Sequence, residues 1–551
     1  MTDVTRAAAV PAGSSSAPLR APLLIAREVS VEADDRTLVE PVSLALGVGE
    51  LVAVIGPSGA GKTSLLRALA GPEARTRGSV QLLAGDGTAA GGIGFVPSDD
   101  LLHDELSVFE ELLFAARLRA EPGAREAELV ARVEGVVSDL DMLEFGETRV
   151  ASLSKGQRRR TSCAVELVGR PQVLLLDEPA AGLDPGLERR LMVMLRELTG
   201  DGRGVLVATH STASLHLCDT IVAMGPGGTV RYIGPPEGVT GALGVRDLEE
   251  AYAALSAPAG RGGHAQLPAV PAGHGSGDRV RGAAPGGGAQ LGTLVSRAAI
   301  CQLRDRRSLA ILIGQAPVIG LAMAVVLPRG VVEDQTLGPF YGMLLSFMLL
   351  TASIWLGVIA ACRTVVSERA IIDRELAVGV RAEAYVFAKA LTLMPVVAAQ
   401  TLLMAIVVLI LQPVPEGAPL ILGLCVVTGW SAAAMGLWLS AWARTPDQAT
   451  TSVPLLLIPQ LLFAGALIPV DKMIPPLQVL TNAVTGRWAL GGIGGAMGLD
   501  ERLGSNLGSV TGLEASFFAA QPTTPIIGLV AIAVVFLGLA VRSLGRVPQH
   551  R

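Results

Sequence analysis

Hydrophobic and polar positions divide the 551-residue chain into two unlike parts. From Leu23 to Gly234, short apolar runs alternate with polar, helix-like stretches, the pattern of a layered α/β domain. Three runs are compact and rich in Val, Ile or Leu: Leu51–Ile55, Val173–Leu176 and Gly204–Ala208. Uniformly apolar runs of this kind fit parallel strands buried on both faces. Beyond about Arg307 the charged residues thin out and the apolar blocks lengthen. Blocks at 309–327, 340–362, 390–411, 420–442, 451–470 and 525–541 are close to the ~20 residues a helix needs to cross a bilayer. None contains Asp, Glu, Lys, Arg or His, so each satisfies its backbone as a helix at little charge cost. Six spans are expected, the last being the shortest.

The segments around these two parts have their own composition. Residues 1–22, rich in Ala, Ser and Pro, read as a disordered tail without a secretory signal. Residues 241–292 read as a linker, flexible from about Ala257, where Gly, Ala and Pro dominate and too little apolar surface is available to fold. The expected domains are therefore 23–240 and 293–551. Basic residues at the span ends are unequal: thirteen lie on the side of Arg297, Arg369, Lys389 and Arg444, and four on the side of Arg329, Lys472, Arg487 and Arg502. The positive-inside rule places both termini and the first domain in the cytoplasm. The segment from Asp471 to Thr524 is then the one long outer loop, and its Gly-rich Trp488–Gly498 stretch fits either a re-entrant helix or a surface loop.

Charged residues make up only 17% of the chain, below the ~25% usual for water-soluble proteins, which agrees with a part in lipid. A net charge of −5 gives no reason to expect a nucleic-acid partner. Five Cys and six His show no metal-binding spacing, so neither a zinc site nor a disulfide framework is indicated. The abundance of Ala and Gly suggests a bacterial gene of high GC content, and the expected location is the cell membrane.

Candidate chemistry lies at the ends of the three strands. After Leu51–Ile55 comes Gly56-Pro57-Ser58-Gly59-Ala60-Gly61-Lys62-Thr63-Ser64, which fits G-x-x-x-x-G-K-[ST] between a strand and a helix. Its glycines let successive N–H groups turn toward phosphate oxygens, and the helix N-terminus favours an anion. Lys62 is expected on the β/γ-phosphates and Thr63 on Mg²⁺. The second strand ends in Asp177-Glu178. Asp177 is placed to hold Mg²⁺, and Glu178 to act as general base on the attacking water. The third leads to His210, which is placed to touch the γ-phosphate.

Between the phosphate motifs stands Leu153-Ser154-Lys155-Gly156-Gln157. With GPSGAGKT, LLLDEP, Asp184 and His210 in this order, the first half resembles an ABC-transporter nucleotide-binding domain over about Leu23–Gly238. The resemblance implies that Ser154, Lys155, Gly156 and Gln157 act as the signature on ATP bound to a second copy, and that Asp184 is the D-loop acid. Three positions depart from the family: Ser98 stands at the Q-loop glutamine, a Mg²⁺ contact, Ala33 at the adenine-stacking aromatic, and Lys155 at the first signature glycine. They imply a working but slow ATPase. The domain order resembles G-subfamily (white-type) half-transporters, with an ABC-2-type six-helix membrane domain. The stretch with Glu368, Arg369, Arg374, Glu375, Gly379, Tyr385 and Lys389 is similar to the segment that couples the two halves there.

The fold class expected is thus an α/β P-loop ATPase domain followed by an all-α polytopic membrane domain. The function implied is ATP-driven export of a hydrophobic or amphipathic molecule (drug, lipid or secondary metabolite). The unit implied is a dimer with an identical or different half-transporter, because one chain holds one Walker A and one signature. An importer, which usually needs an external binding protein, and a membrane-tethered ATPase that transmits force without cargo are the alternatives.

Overall fold

The computed structural model describes residues 21–33, 36–71, 74–83, 91–256, 286–334, 337–414, 417–502 and 515–545. The expected tail (to residue 20) and most of the Gly/Ala/Pro-rich linker (257–285) lie outside them.

The first domain opens with β1 (Pro22–Ala33), β2 (Arg36–Gly47), β3 (Leu51–Ile55), α1 (Lys62–Ala70), β4 (Arg77–Leu82) and β5 (Gly91–Val96). After α2 (Val108–Arg119), α3 (Glu126–Asp139) and α4 (Lys155–Leu167) come β6 (Pro171–Asp177), α5 (Pro185–Thr199), β7 (Gly204–Thr209), β8 (Thr220–Met224) and β9 (Val230–Gly234). A three-stranded antiparallel sheet has the order β2-β1-β4, and a six-stranded sheet has the order β5-β6-β7-β3-β8-β9. Within the larger sheet every pairing is parallel except β8 with β9. Strands β3, β6 and β7 are buried along their whole length, which explains their uninterrupted apolar sequences. The order puts β7 between β6 and β3, so their carboxyl ends open onto one edge.

The domain runs further than the sequence suggests. Helices α6 (Val239–Leu243) and α7 (Leu248–Ser256) occupy what reads as the start of the linker. Val239, Ala251 and Leu255 join the core of the ATPase domain, so burial orders this segment. At the other end, α8 (Gly287–Arg304) begins inside the expected linker.

The membrane part follows as α9 (Arg306–Val326), α10 (Gly338–Ala361), α11 (Arg369–Ala377), α12 (Ala382–Leu411), α13 (Ala418–Trp442), α14 (Pro446–Leu462), α15 (Pro475–Thr481), α16 (Thr485–Ala496), α17 (Leu499–Arg502) and α18 (Thr523–Gly545). Among the described residues five helices are long and apolar enough to cross a membrane: α9, α12, α13, α18 and the one containing α10. The block at 451–470 differs from expectation. Its helix, α14, has 17 residues, or ~25 Å at 1.5 Å per residue, at the lower end of the ~17–25 residues that cross a bilayer. Pro454 and Pro459 lie inside it, and Gly465, with φ 96°, ends the run in a turn before 470. The last span, α18, is correspondingly not the shortest, with 23 residues.

The Trp488–Gly498 stretch largely forms α16, which packs against α10, α13 and α18. Its glycines permit this. A Cβ on Gly492 would stand 2.9 Å from Pro525 of α18 and 3.1 Å from Leu424 of α13. Small residues do the same between α10 and α13, where Gly357 meets Gly429 O and Gly436 meets Val358 O, while Gly429 closes on Thr401 and Val397 of α12.

Candidate active site

The phosphate cradle follows from local chemistry. Buried β3 delivers the chain to Gly56, and α1 starts at Lys62 with Gly61 as its N-cap. Gly61 has φ 86°, and a Cβ there would lie 2.2 Å from the Leu38 carbonyl oxygen, so glycine is required twice over. Lys62 Nζ donates to the carbonyls of Gly56 (2.8 Å) and Pro57 (3.1 Å). It lies 3.8 Å from Glu178 Oε1. Burial pushes the ammonium below its ordinary pKa, against the opposing pull of Glu178 and Asp177. The amine thus rests against the loop's own carbonyls in the place a phosphate would draw it from.

Asp177 ends β6, buried, and accepts a 3.0 Å hydrogen bond from Thr63 Oγ1. Burial raises its pKa, opposed by the Thr63 hydroxyl. These two oxygens are hard donors side by side, and they fit Mg²⁺, which takes few protein ligands and completes its shell with waters and phosphates. Ser98 follows β5 exposed, and its carbonyl, not its hydroxyl, is engaged, by Arg159 at 3.3 Å. Among the described residues the Thr63–Asp177 hydrogen bond does not include the Ser98 hydroxyl. Ala33 ends β1, half-buried and paired with Arg36.

Glu178 adopts φ 45°, a left-handed conformation costly for a side-chain-bearing residue, and its N–H donates to Ala208 O at 2.9 Å. Strain of this kind clusters where a side chain must be aimed. The carboxylate lies 3.8 Å from both Lys62 Nζ and His210 Nδ1. Register explains the meeting: Ile55 pairs with Thr209 and Asp177 with Ala208, so the residues that follow all three strands share one edge. The residues at Gly56–Ser64, Asp177, Glu178 and His210 come together as the sequence predicts.

The signature lies at the N-terminus of α4. Ser154 caps the helix, accepting from Gln157 N at 3.4 Å while Gln157 Oε1 accepts from Ser154 N at 2.8 Å. Gly156 is buried, and the side chains nearest its Cβ position belong to Leu187 and Leu183. Lys155 Nζ lies over Gly182, 2.2 Å from where a Cβ would be. Asp184, expected as the D-loop acid, caps α5, accepting from Gly186 N and Leu187 N at 3.0 Å each.

Of the expected coupling residues Arg369, Arg374 and Glu375 lie on α11, and Tyr385 and Lys389 inside α12. Glu368 accepts from Lys389 Nζ at 2.7 Å and from Tyr385. Arg369 donates to Asp373 and to Ala441 O, both at 3.1 Å. Glu375 holds Arg297 of α8 in a two-bond pair, with Arg297 Nη2 to Oε2 at 2.7 Å. Arg374, buried, reaches across to Glu166 of α4 at 3.9 Å. Glu166 is also held by Arg119 of α2 at 2.9 Å. From α8, Arg304 donates to Glu110 of α2 at 2.7 Å and to Glu105 O at 3.1 Å. Apolar contacts run alongside: Leu118 of α2 shares a core with Leu294, Val365 and Ile372.

Sequence reading missed several of these residues. Arg119, Glu166 and Glu110 read as ordinary solvated helix charges. Tyr252 of α7 donates to Gly56 O of the cradle across 196 residues, a pairing without any local signal.

Residues 39–181 match the profile of the ABC transporter family, and residues 289–497 match that of the ABC-2 type transporters. The Mycobacterium tuberculosis ABC transporter ATP-binding/permease protein Rv1747 is 33% identical over 486 residues, covering 82% of this chain and 55% of that protein. ABC transporter G family member 25 of Oryza sativa subsp. japonica is 33% identical over 212 residues, covering 36% of this chain and 21% of that protein. Among solved structures, cbiO1 from Clostridium perfringens, part of the ABC transporter complex cbiONQ, is 26% identical with a TM-score of 0.36, over 40% of this chain and 92% of that one. The chain thus spans about half the length of the mycobacterial relative and about a fifth of the rice one. An ABC ATPase domain ahead of an ABC-2 type membrane domain, the order of the G-type half-transporters, makes this chain a member of the ABC transporter family.

Proposed function

We propose that the chain is one half of a dimeric ATP-driven pump that exports a hydrophobic or amphipathic molecule. The observation that carries the proposal is the meeting of Glu178 with Lys62 and His210, each at 3.8 Å, beside the Thr63–Asp177 pair. In this reading Lys62 exchanges the Gly56 and Pro57 carbonyls for the β/γ-phosphates. Thr63 and Asp177 would hold Mg²⁺, which would supply charge neutralisation at the phosphates. Glu178 takes a proton from the attacking water, and His210 fixes that water against the γ-phosphate. A dimer is supported by the signature's place among Leu183 and Leu187, on other elements than the cradle of its own chain.

Closure of the two ATPase domains would pull on α2 and α4. Arg304, Arg374 and Glu166 carry that movement to α8 and α11, and so to the spans, a ligand-driven two-state change. Spans free of ionisable side chains support an apolar cargo path and give no proton relay. The reading places the chain in a cell membrane with both termini inside.

Glu178→Gln is expected to bind ATP with wild-type affinity and to lose turnover by at least about a hundredfold in lipid-reconstituted protein. Turnover surviving in that variant would overturn the role of Glu178. Export predicts ATP-dependent uptake of cargo into inside-out vesicles, whereas uptake into right-side-out vesicles would make the protein an importer.

A further inference from the structure

Arg159 lies on α4, two residues beyond Gln157, and its side chain is only 6% exposed. A buried arginine needs partners for a full fork of donors, and this one finds them on carbonyls of two separate segments. Nε donates to Pro179 O at 3.1 Å and Nη2 to Asp177 O at 2.7 Å. Nη1 donates to Pro97 O at 2.5 Å, Ser98 O at 3.3 Å and Asp100 Oδ1 at 3.2 Å. The first two carbonyls bracket Glu178, the residue with φ 45°. The others belong to the turn after β5, where a serine stands instead of a glutamine.

The geometry points to Arg159 as a positioning residue: it ties the signature helix to the backbone on both sides of Glu178 and to the Ser98 turn of the same chain. Engagement of one chain's signature by its partner's ATP then sets the carboxylate geometry at that chain's own site. The inference rests on the dimeric ATPase reading above and adds a route between its two sites. Ser154, which caps α4, precedes Arg159 by ~7.5 Å of helix rise, so a shift of the helix start moves the guanidinium as one body. A lysine in its place supplies the charge for Asp100 but not a planar fork reaching both segments.

The test uses the full chain reconstituted in lipid, with Arg159→Gln, Arg159→Lys and Asp100→Asn. Thermal midpoint, ATP affinity, kcat and the Hill coefficient for ATP are measured for each. Arg159→Gln is expected to lower kcat about tenfold or more, with ATP affinity held within about threefold and the Hill coefficient falling to 1. Arg159→Lys should fall between Arg159→Gln and wild type. Asp100→Asn, which leaves the four carbonyl bonds, should stay within about twofold of wild type. Wild-type kcat and Hill coefficient in Arg159→Gln overturn the proposal. So does a joint fall of kcat, ATP affinity and thermal midpoint in both Arg159 variants, which marks a folding role. A wild-type protein without ATPase activity would instead overturn the parent reading.

Discussion

The pair formed by Arg297 of α8 and Glu375 of α11 offers the sharpest test of how the connecting helix is held to the coupling helix. The side chains are 6% and 4% exposed, and two parallel bonds connect them, Nη1–Oε1 at 2.5 Å and Nη2–Oε2 at 2.7 Å. Burial by itself disfavours the charge on Arg297, but Glu375 overrides it and holds the guanidinium firmly protonated. Arg297→Met removes the partner and leaves a buried carboxylate, a loss of about 3–5 kcal/mol. The lower end applies here. Arg374, whose Nε and Nη1 lack hydrogen-bond partners among the described residues, also acts on Glu375 and offers partial compensation. At about 3 kcal/mol the folded-to-unfolded ratio drops by more than about a hundredfold. Replacing both members, Arg297→Met with Glu375→Leu, exchanges charge for packing and is expected to be near neutral. The coupling energy in a double-mutant cycle should therefore reach at least about 3 kcal/mol. Reversible unfolding in mixed detergent micelles reads these differences. Single variants within about 1 kcal/mol of wild type, or a double variant as unstable as the sum of the singles, would refute the reasoning.

Two further outcomes follow from burial elsewhere. Asp177 binds its proton more tightly in the folded protein than in the unfolded chain, because burial raises its pKa, so its ionised form costs stability at neutral pH. Asp177→Asn should raise the thermal midpoint of nucleotide-free protein at pH 7. The advantage should shrink as pH falls through the folded pKa toward the unfolded one, and Mg²⁺-dependent turnover should vanish; a lower midpoint at pH 7 would contradict this. Gly357→Val should destabilise the membrane part by about 1–3 kcal/mol or more, since a Cβ there meets Gly429 O at 2.2 Å with no flexible neighbour to yield. Wild-type stability in a micelle unfolding assay would show that α10 and α13 separate easily.

Several features were written locally in the chain. The Gly56–Thr63 cradle needs glycines and a lysine at fixed spacing, and Asp177-Glu178 needs only a buried strand to carry it. Long runs without charge announce membrane helices whatever their neighbours do, because the bilayer demands internal hydrogen bonding of each. Short-range chemistry of this kind survives without tertiary context.

Other features depended on residues far apart in sequence. The block at 451–470 is apolar enough for a span, yet two prolines and a turn at Gly465 leave a 17-residue helix. Helices α6 and α7 read as linker because their order comes from burial of Ala251 and Leu255 in a core formed earlier in the chain. Arg159, Arg304 and Glu110 look like surface charges until packing brings their partners close, 194 residues away in the case of Arg304 and Glu110. Sequence alone therefore determined the strands, the phosphate chemistry and the membrane character, whose causes are local spacing and solvent. Tertiary structure decided which charges are buried together and how far the helices and the ATPase domain extend, because burial depends on what the distant parts of the chain place alongside.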